Sequence, residues 1–131
     1  MKYLKGYNEE NSKNIPNFKK IIIDDFVVYQ GKDATSNDYV TLELGNDPND
    51  IFLHAKGVPG SHVIIKVKDK IPTKDVIQKA AQIAAKNSKS KEERVKVVYC
   101  KKKFVTKEKG SNPGQVKLDY INSDEIFITK N

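Results

Sequence analysis

Asp50-Ile51-Phe52-Leu53-His54-Ala55-Lys56-Gly57-Val58-Pro59-Gly60-Ser61-His62 decides how this chain is read, because it sets two short apolar runs either side of a Pro-Gly turn and carries both histidines of the protein. Residues 51–55 and 63–67 predict short strands, and Val58-Pro59-Gly60 is strong turn chemistry, so the segment reads as a β-hairpin. With the symmetry point near Val58, His54 opposes His62. Side chains alternate along a strand, so Phe52 and His54 then share a face with His62 and Ile64, while Ile51, Leu53, Val63, Ile65 and Val67 point to the other. One face is core and the other is mixed.

Two chemistries fit this turn. In one, the amides of Gly60, Ser61 and His62, the Ser61 hydroxyl, Lys56 and both imidazoles converge on a phosphate; in the other, the hairpin is a rigid unit whose histidines are hydrogen-bonded in place. A metal site is not indicated, since histidines eight residues apart with only Asp50 and the distant Cys100 as further candidates fall short of a ligand pattern. Nor do the residues imply a cofactor.

Outward from the hairpin, residues 20–29 predict an Ile/Val-rich strand, bent or split at Asp24-Asp25, and Gly31-Lys32-Asp33 a turn. Residues 37–44 suit a short helix capped by Asn37, with a strand as the alternative. Thr73 is a good N-cap for the main helix, residues 73–88, whose Val76, Ile77, Ala80, Ala81, Ile83, Ala84 and Ala85 form one apolar face. Residues 95–105 alternate as a half-buried strand running into a second strand across Lys101-Lys102-Lys103, Pro113-Gly114 is a turn, and residues 116–118 and 126–129 read as the last strands. The sum is an α+β domain with a mostly antiparallel or mixed sheet over residues 19–131, preceded by a polar lead-in over residues 1–18.

At 131 residues with 37% hydrophobic content the chain suffices for one hydrophobic core. No apolar stretch approaches the roughly 20 residues of a membrane span, and the N-terminus lacks a signal-peptide core, so a cytoplasmic location is expected. The single cysteine fits a reducing compartment.

The net charge of +7 is unevenly placed: residues 1–70 carry ten lysines against ten acids, residues 71–131 fourteen Lys or Arg against seven. Residues 86–117 alone hold eleven basic side chains, Lys101, Lys102, Lys103 and Lys107 among them, against three acidic ones. Such a surface attracts polyanions by counterion release, nucleic acid above all, although a merely solvated basic face has the same composition. With one arginine in the chain, binding would follow backbone and shape rather than base edges.

Taken together, Gly31-Lys32-Asp33, Asn37-Asp38-Tyr39-Val40-Thr41, the 50–62 block, the alanine-rich helix, Val97-Val98-Tyr99, Lys102-Lys103 and Pro113-Gly114-Gln115-Val116 resemble the NFACT-R domain over residues 26–128. The most specific part is Asp-Ile-aromatic-apolar-His-Ala followed by Pro-Gly-Ser-His. The resemblance implies an RNA-binding domain of the kind found at the C-terminus of NFACT proteins, which act with tRNA on stalled large ribosomal subunits, and here a stand-alone copy. It points to His54, Lys56, Pro59, Gly60, Ser61 and His62, to Lys102, Lys103, Lys107, Pro113 and Gly114, and to Gly31 and Asn37. Phe52, Lys102 and Asn112 stand where the family usually has Trp, Arg and Lys.

The expected function is therefore a nucleic-acid-binding module for structured RNA, transfer or ribosomal, and no enzyme. Tyr29, Tyr39, Tyr99, Phe52 and Phe104 are candidates to stack on unpaired bases. Three rivals remain: a module docking on a ribosome-associated or acidic protein, an RNA-cleaving enzyme using His54, His62, Lys56 and Asp50, and a DNA binder.

Overall fold

The computed structural model describes residues 16–130. The chain opens with a tight hairpin, β1 (Phe18–Ile23) and β2 (Phe26–Gly31), so of the two readings of residues 20–29, bent or split at Asp24-Asp25, the split one is found. Asp24 and Asp25 sit at φ 46° and 70°, the two left-handed positions of a twist-matched two-residue turn. Phe18 already pairs with Gly31. Most of the expected lead-in, residues 1–15, lies outside the described residues.

Asp33, not Asn37, caps the next helix. Its carboxylate accepts from the Ser36 amide at 2.8 Å while the Ser36 hydroxyl accepts from the Asp33 amide at 2.9 Å, a reciprocal capping box. α1 (Ala34–Asp38) then widens into a π-helical turn over Tyr39–Leu44, so the helical reading of this stretch holds with an earlier start. Asn37 instead is buried, for a reason given below.

β3 (Ile51–Ala55) and β4 (Val63–Ile65) pair antiparallel in the expected register, Leu53 opposite Val63 and Phe52 opposite Ile64. α2 (Lys74–Lys86) follows, capped by the Thr73 hydroxyl on the Val76 amide. Next come β5 (Arg94–Lys101), a 3₁₀ turn at Lys102–Phe104, the small ribbon of β6 (Val105–Thr106) and β7 (Lys117–Leu118), a second 3₁₀ turn at Tyr120–Asn122, and β8 (Asp124–Thr129). The main sheet runs β1-β2-β4-β3-β5-β8, and every pairing is antiparallel. The α+β reading is correct.

Both sheet faces are covered. On one, Val28, Leu53, Ala55, Val63, Ile65 and Val97 meet the alanine side of α2, whose small side chains let the helix lie close. On the other, Phe52, Ile64 and Cys100 pack with Val40 of the π-helical turn and Val105 of the ribbon. Among the described residues no helix is long and apolar enough to cross a membrane.

Candidate nucleic-acid interface

Continuing the β3–β4 register by one pair sets His54 across from His62, and the two rings meet edge to face with centroids 5.1 Å apart. Phe52 lies edge-on to His62 at 5.1 Å and stacked on His54 at 6.4 Å. His62 is 2% exposed. Its Nδ1 is 2.8 Å from the Thr41 hydroxyl, and the Gly114 backbone also bonds the ring. Burial, reinforced by His54, depresses the His62 pKa to about 3, so the ring is neutral at physiological pH. His54 is half-buried and lowered too, chiefly by burial, with the Gly60 and Ala55 backbone opposing the shift.

The structure brings the histidines together and turns two amides of the expected phosphate cradle, those of Ser61 and His62, onto protein partners. The Ser61 amide donates to the Asn87 carbonyl at 3.2 Å, the His62 amide to Asn37 Oδ1 at 2.9 Å, and the Ser61 hydroxyl accepts from Gln30 Nε2 at 3.3 Å. These donors point inward because the turn abuts the C-terminal end of α2. Gly60 pairs with Ser88 there, and a β-carbon on Gly60 would sit 2.8 Å from the Ser88 Cα. Pro59 is exposed, but its carbonyl takes the Lys89 amide at 2.8 Å.

Asn37 is the other half of this clamp: its Nδ2 donates to the Gly60 carbonyl at 3.1 Å while its Oδ1 holds the His62 amide. Gly31 explains itself in the same place, since any β-carbon there would meet Asn37 Oδ1 at 2.1 Å. Gly114, at φ 82°, rests against Ala34, where a β-carbon would approach its Cα to 3.2 Å. The Pro113-Gly114 turn thereby docks on α1, with Pro113 itself exposed.

The lysines separate into three groups. Lys107 is a staple: its ammonium donates to the Asn112 and Gln115 carbonyls at 2.6 and 2.9 Å and lies 3.2 Å from Asp38, which engages all three of its donors. Lys56 is ion-paired with Glu125, which also reaches Lys96 at 3.6 Å. Lys102 and Lys103 occupy the 3₁₀ turn, their amides tied to the Asp50 and Pro48 carbonyls. Lys101 leaves the group altogether. His54 pairs with Val98, so Val98 and Cys100 share its face, whereas Lys101 alternates with Val97 and Tyr99 onto the α2 face.

Two clefts of about 460 and 690 Å³ open over the histidine side, separated only by His54, Pro59, Gly114 and Gln115, which line both. Lys56, Lys117 and Tyr120 edge the first; Lys32 and Lys89 edge the second. Lys117 also borders a shallow recess with Lys103. Through these shared residues a track can be followed from Lys103 past Lys117 and His54 to Lys89 and Lys32; Lys89 and Lys117 were expected only as members of the basic stretch 86–117, and Lys32 only as part of a turn.

Several proposed chemistries lose their parts. Asp50 is fully buried, accepting from the Asp47 and Val67 amides at 3.1 Å each and from Lys66, and it lies four residue steps, about 13 Å, along the strand from His54. It cannot assist an RNA-cleaving histidine. Tyr39 and Phe52 are buried and unavailable for stacking, and Tyr29, Tyr99 and Phe104 are half-buried. Among the described residues the exposed rings are Tyr120 and Phe127, of which Phe127 could have been found from period-two alternation in β8, Glu125 and Phe127 against Ile126 and Ile128. Burial raises the Cys100 thiol pKa, as befits a strand residue.

Comparisons with known proteins identify the family and the fold. A family model described as the NFACT protein RNA binding domain matches residues 17–119. The Rqc2 homolog RqcH of Bacillus subtilis (strain 168) is 39% identical over 100 residues, covering 76% of this chain and 17% of that protein. Its namesake in Streptococcus suis (strain 05ZYH33) is 33% identical over 91 residues, covering 69% and 16%. The chain thus spans about a sixth of the length of these curated relatives. Among solved structures, the C-terminal part of the fibronectin/fibrinogen-binding protein from Streptococcus suis superposes with a TM-score of 0.78 at 27% identity, over 88% of this chain and 46% of that one. With the match to the family model spanning most of its length, the chain belongs to the NFACT-R family of RNA-binding domains.

Proposed function

We propose that this protein binds structured RNA, transfer or ribosomal, along the track centred on His54, and that it does so in the cytoplasm on the large ribosomal subunit during ribosome-associated quality control. The observation that carries this reading is the placing of cations from separate segments, Lys32, Lys56, Lys89, Lys103 and Lys117, on three neighbouring recesses, two of which share His54. Phosphates would be held by mobile ammonium groups at the rim. The hub, the hydrogen-bonded turn itself, contributes shape, since the Ser61 and His62 amides are already spent. His54 lines both clefts and, neutral near pH 7, offers a hydrogen bond rather than a charge. Ribose and backbone geometry, not base sequence, would decide the partner.

Binding without turnover is the reading the site supports. General acid-base cleavage needs a group that carries a proton near neutral pH, and His62, at about 3 and nearly sealed, does not.

The test is binding of labelled tRNA and matched duplex DNA across a salt series. Wild type should prefer tRNA, and Lys103→Glu/Lys117→Glu and His54→Ala should each weaken it. Absence of appreciable binding near physiological salt, with capture of an acidic protein segment instead, would replace the RNA reading by protein docking; equal affinity for DNA would make it a general polyanion surface.

A further inference from the structure

Phe127 lies on the outer edge strand β8, on the same sheet face as His54, and is 51% exposed. It pairs with Lys96, and Arg94, two residues along β5 on that face, completes the site. The only arginine of the chain sets its guanidinium 4.2 Å from the Phe127 ring centroid, with the Lys96 ammonium 5.3 Å away. Tyr120, 57% exposed at the mouth of the first cleft, repeats the pattern with Lys56 at 5.1 Å. Glu125 joins the two units, since it bonds both Lys56 and Lys96. Three cations against one carboxylate therefore surround two solvent-facing rings beside the track.

We propose that Phe127 with Arg94, and Tyr120 with Lys56, form a stacking platform for unpaired nucleobases of the RNA that occupies the track, an inference that rests on the RNA reading above. A nucleobase matches all parts of the platform: its π face suits an aromatic ring or a guanidinium plane, and the phosphates either side of it suit Lys96 and Lys56. Bases inside a duplex have their faces covered by their neighbours, so the platform selects looped, bulged or terminal nucleotides. It supplies what a lysine track lacks, a means of telling an unpaired stretch from a helix.

The experiment uses the full chain with two RNAs of equal length, a blunt duplex and a hairpin with an unpaired loop carrying 2-aminopurine, whose fluorescence falls on stacking. Wild type should bind the looped RNA more tightly and quench the probe. Phe127→Leu, which keeps an apolar side chain, and Arg94→Gln, which keeps the ring, should each weaken looped-RNA binding roughly five- to hundredfold and relieve the quench, while leaving duplex affinity within about twofold. Unchanged loop affinity in both variants, or an equal loss on duplex, overturns the platform and leaves the track intact. Failure of wild type to bind either RNA overturns the RNA reading itself. Sedimentation of wild type as a dimer and of Phe127→Leu as a monomer would reassign the patch to self-association and likewise overturn it. Thermal melts of both variants, expected to match wild type because the ring is half in solvent, show that a lost signal is not unfolding.

Discussion

His62 should make the fold acid-sensitive in a defined window. The folded protein holds its pKa at about 3 against an ordinary 6.5, so the unfolded chain takes up a proton that the native state refuses. Stability is therefore unaffected above about pH 6.5 and is lost as the pH falls from there towards 3, by about 1.4 kcal/mol per pH unit once the unfolded histidine is protonated. Integrated from pH 7.5 to 5.0, that one group costs about 2 kcal/mol, and His54, lowered for the same reason, adds in the same direction. Urea unfolding followed by far-ultraviolet circular dichroism reads this directly. With a slope of roughly 1–3 kcal/mol per molar for a small domain, the midpoint should drop by about 1 M between the two pH values. His62→Gln removes the titrating group and should show a smaller drop, although its midpoint at pH 7.5 will already be lower because the contacts to Thr41 and Gly114 are disturbed. A wild-type midpoint that does not move between pH 7.5 and 5.0, or a variant that falls as far as wild type does, would refute a buried neutral His62.

Glu125→Gln should release Lys56 and Lys96 together, raising RNA affinity several-fold and steepening the logarithmic salt dependence by about one to two phosphate equivalents in a binding titration. Lys117→Glu, on the track, should weaken tRNA binding far more than Lys101→Glu, which sits on the opposite sheet face; equal effects would mean that overall charge rather than the track sets affinity. Gly60→Ala should lower stability by about 1–3 kcal/mol in a thermal melt, because the new methyl meets the Ser88 backbone at 2.8 Å. Gly57→Ala, at φ 78° with open space around it, should cost only about 1 kcal/mol of backbone strain.

The hairpin register was legible because the turn chemistry of Val58-Pro59-Gly60 sets the symmetry point, and a one-residue slip from it would take Leu53 or Val63 off the core face. The alanine helix was legible for the same reason: its period and its Thr73 cap are local. What escaped was set by partners distant in the chain. Asp33 and Asn37 both suit a cap, and only the Gly60 carbonyl and the His62 amide, over twenty residues on, draw Asn37 inward. The turn amides look like an anion site until the Asn87 carbonyl at the end of α2 is seen to hold that of Ser61 and the Asn37 side chain that of His62. Lys107 reads as a free cation until Asp38 and two carbonyls surround it. The displacement of Lys101 was within reach, since its even spacing from Val97 and Tyr99 already assigns it to the helix face.

On the proposed RNA reading, the hub and the rim divide the work of recognition. Asn37 binds Gly60 and His62, Ser61 binds Gln30 and the Asn87 carbonyl, and the Gly114 backbone bonds the His62 ring, so that α1, β2, the β3–β4 turn, the end of α2 and the Pro113-Gly114 turn are fastened at one point, where a phosphate would have to compete with existing hydrogen bonds. A frame fixed in this way loses little conformational freedom when RNA docks, which leaves more of each ammonium-phosphate contact as net affinity. The same lysines, however, are indifferent to base identity and nearly so to the kind of nucleic acid. Discrimination must therefore come from groove shape around His54 and from the rings at its margin, and the two can be separated, because truncating Phe127 acts on unpaired bases while reversing Lys117 acts on every phosphate polymer alike.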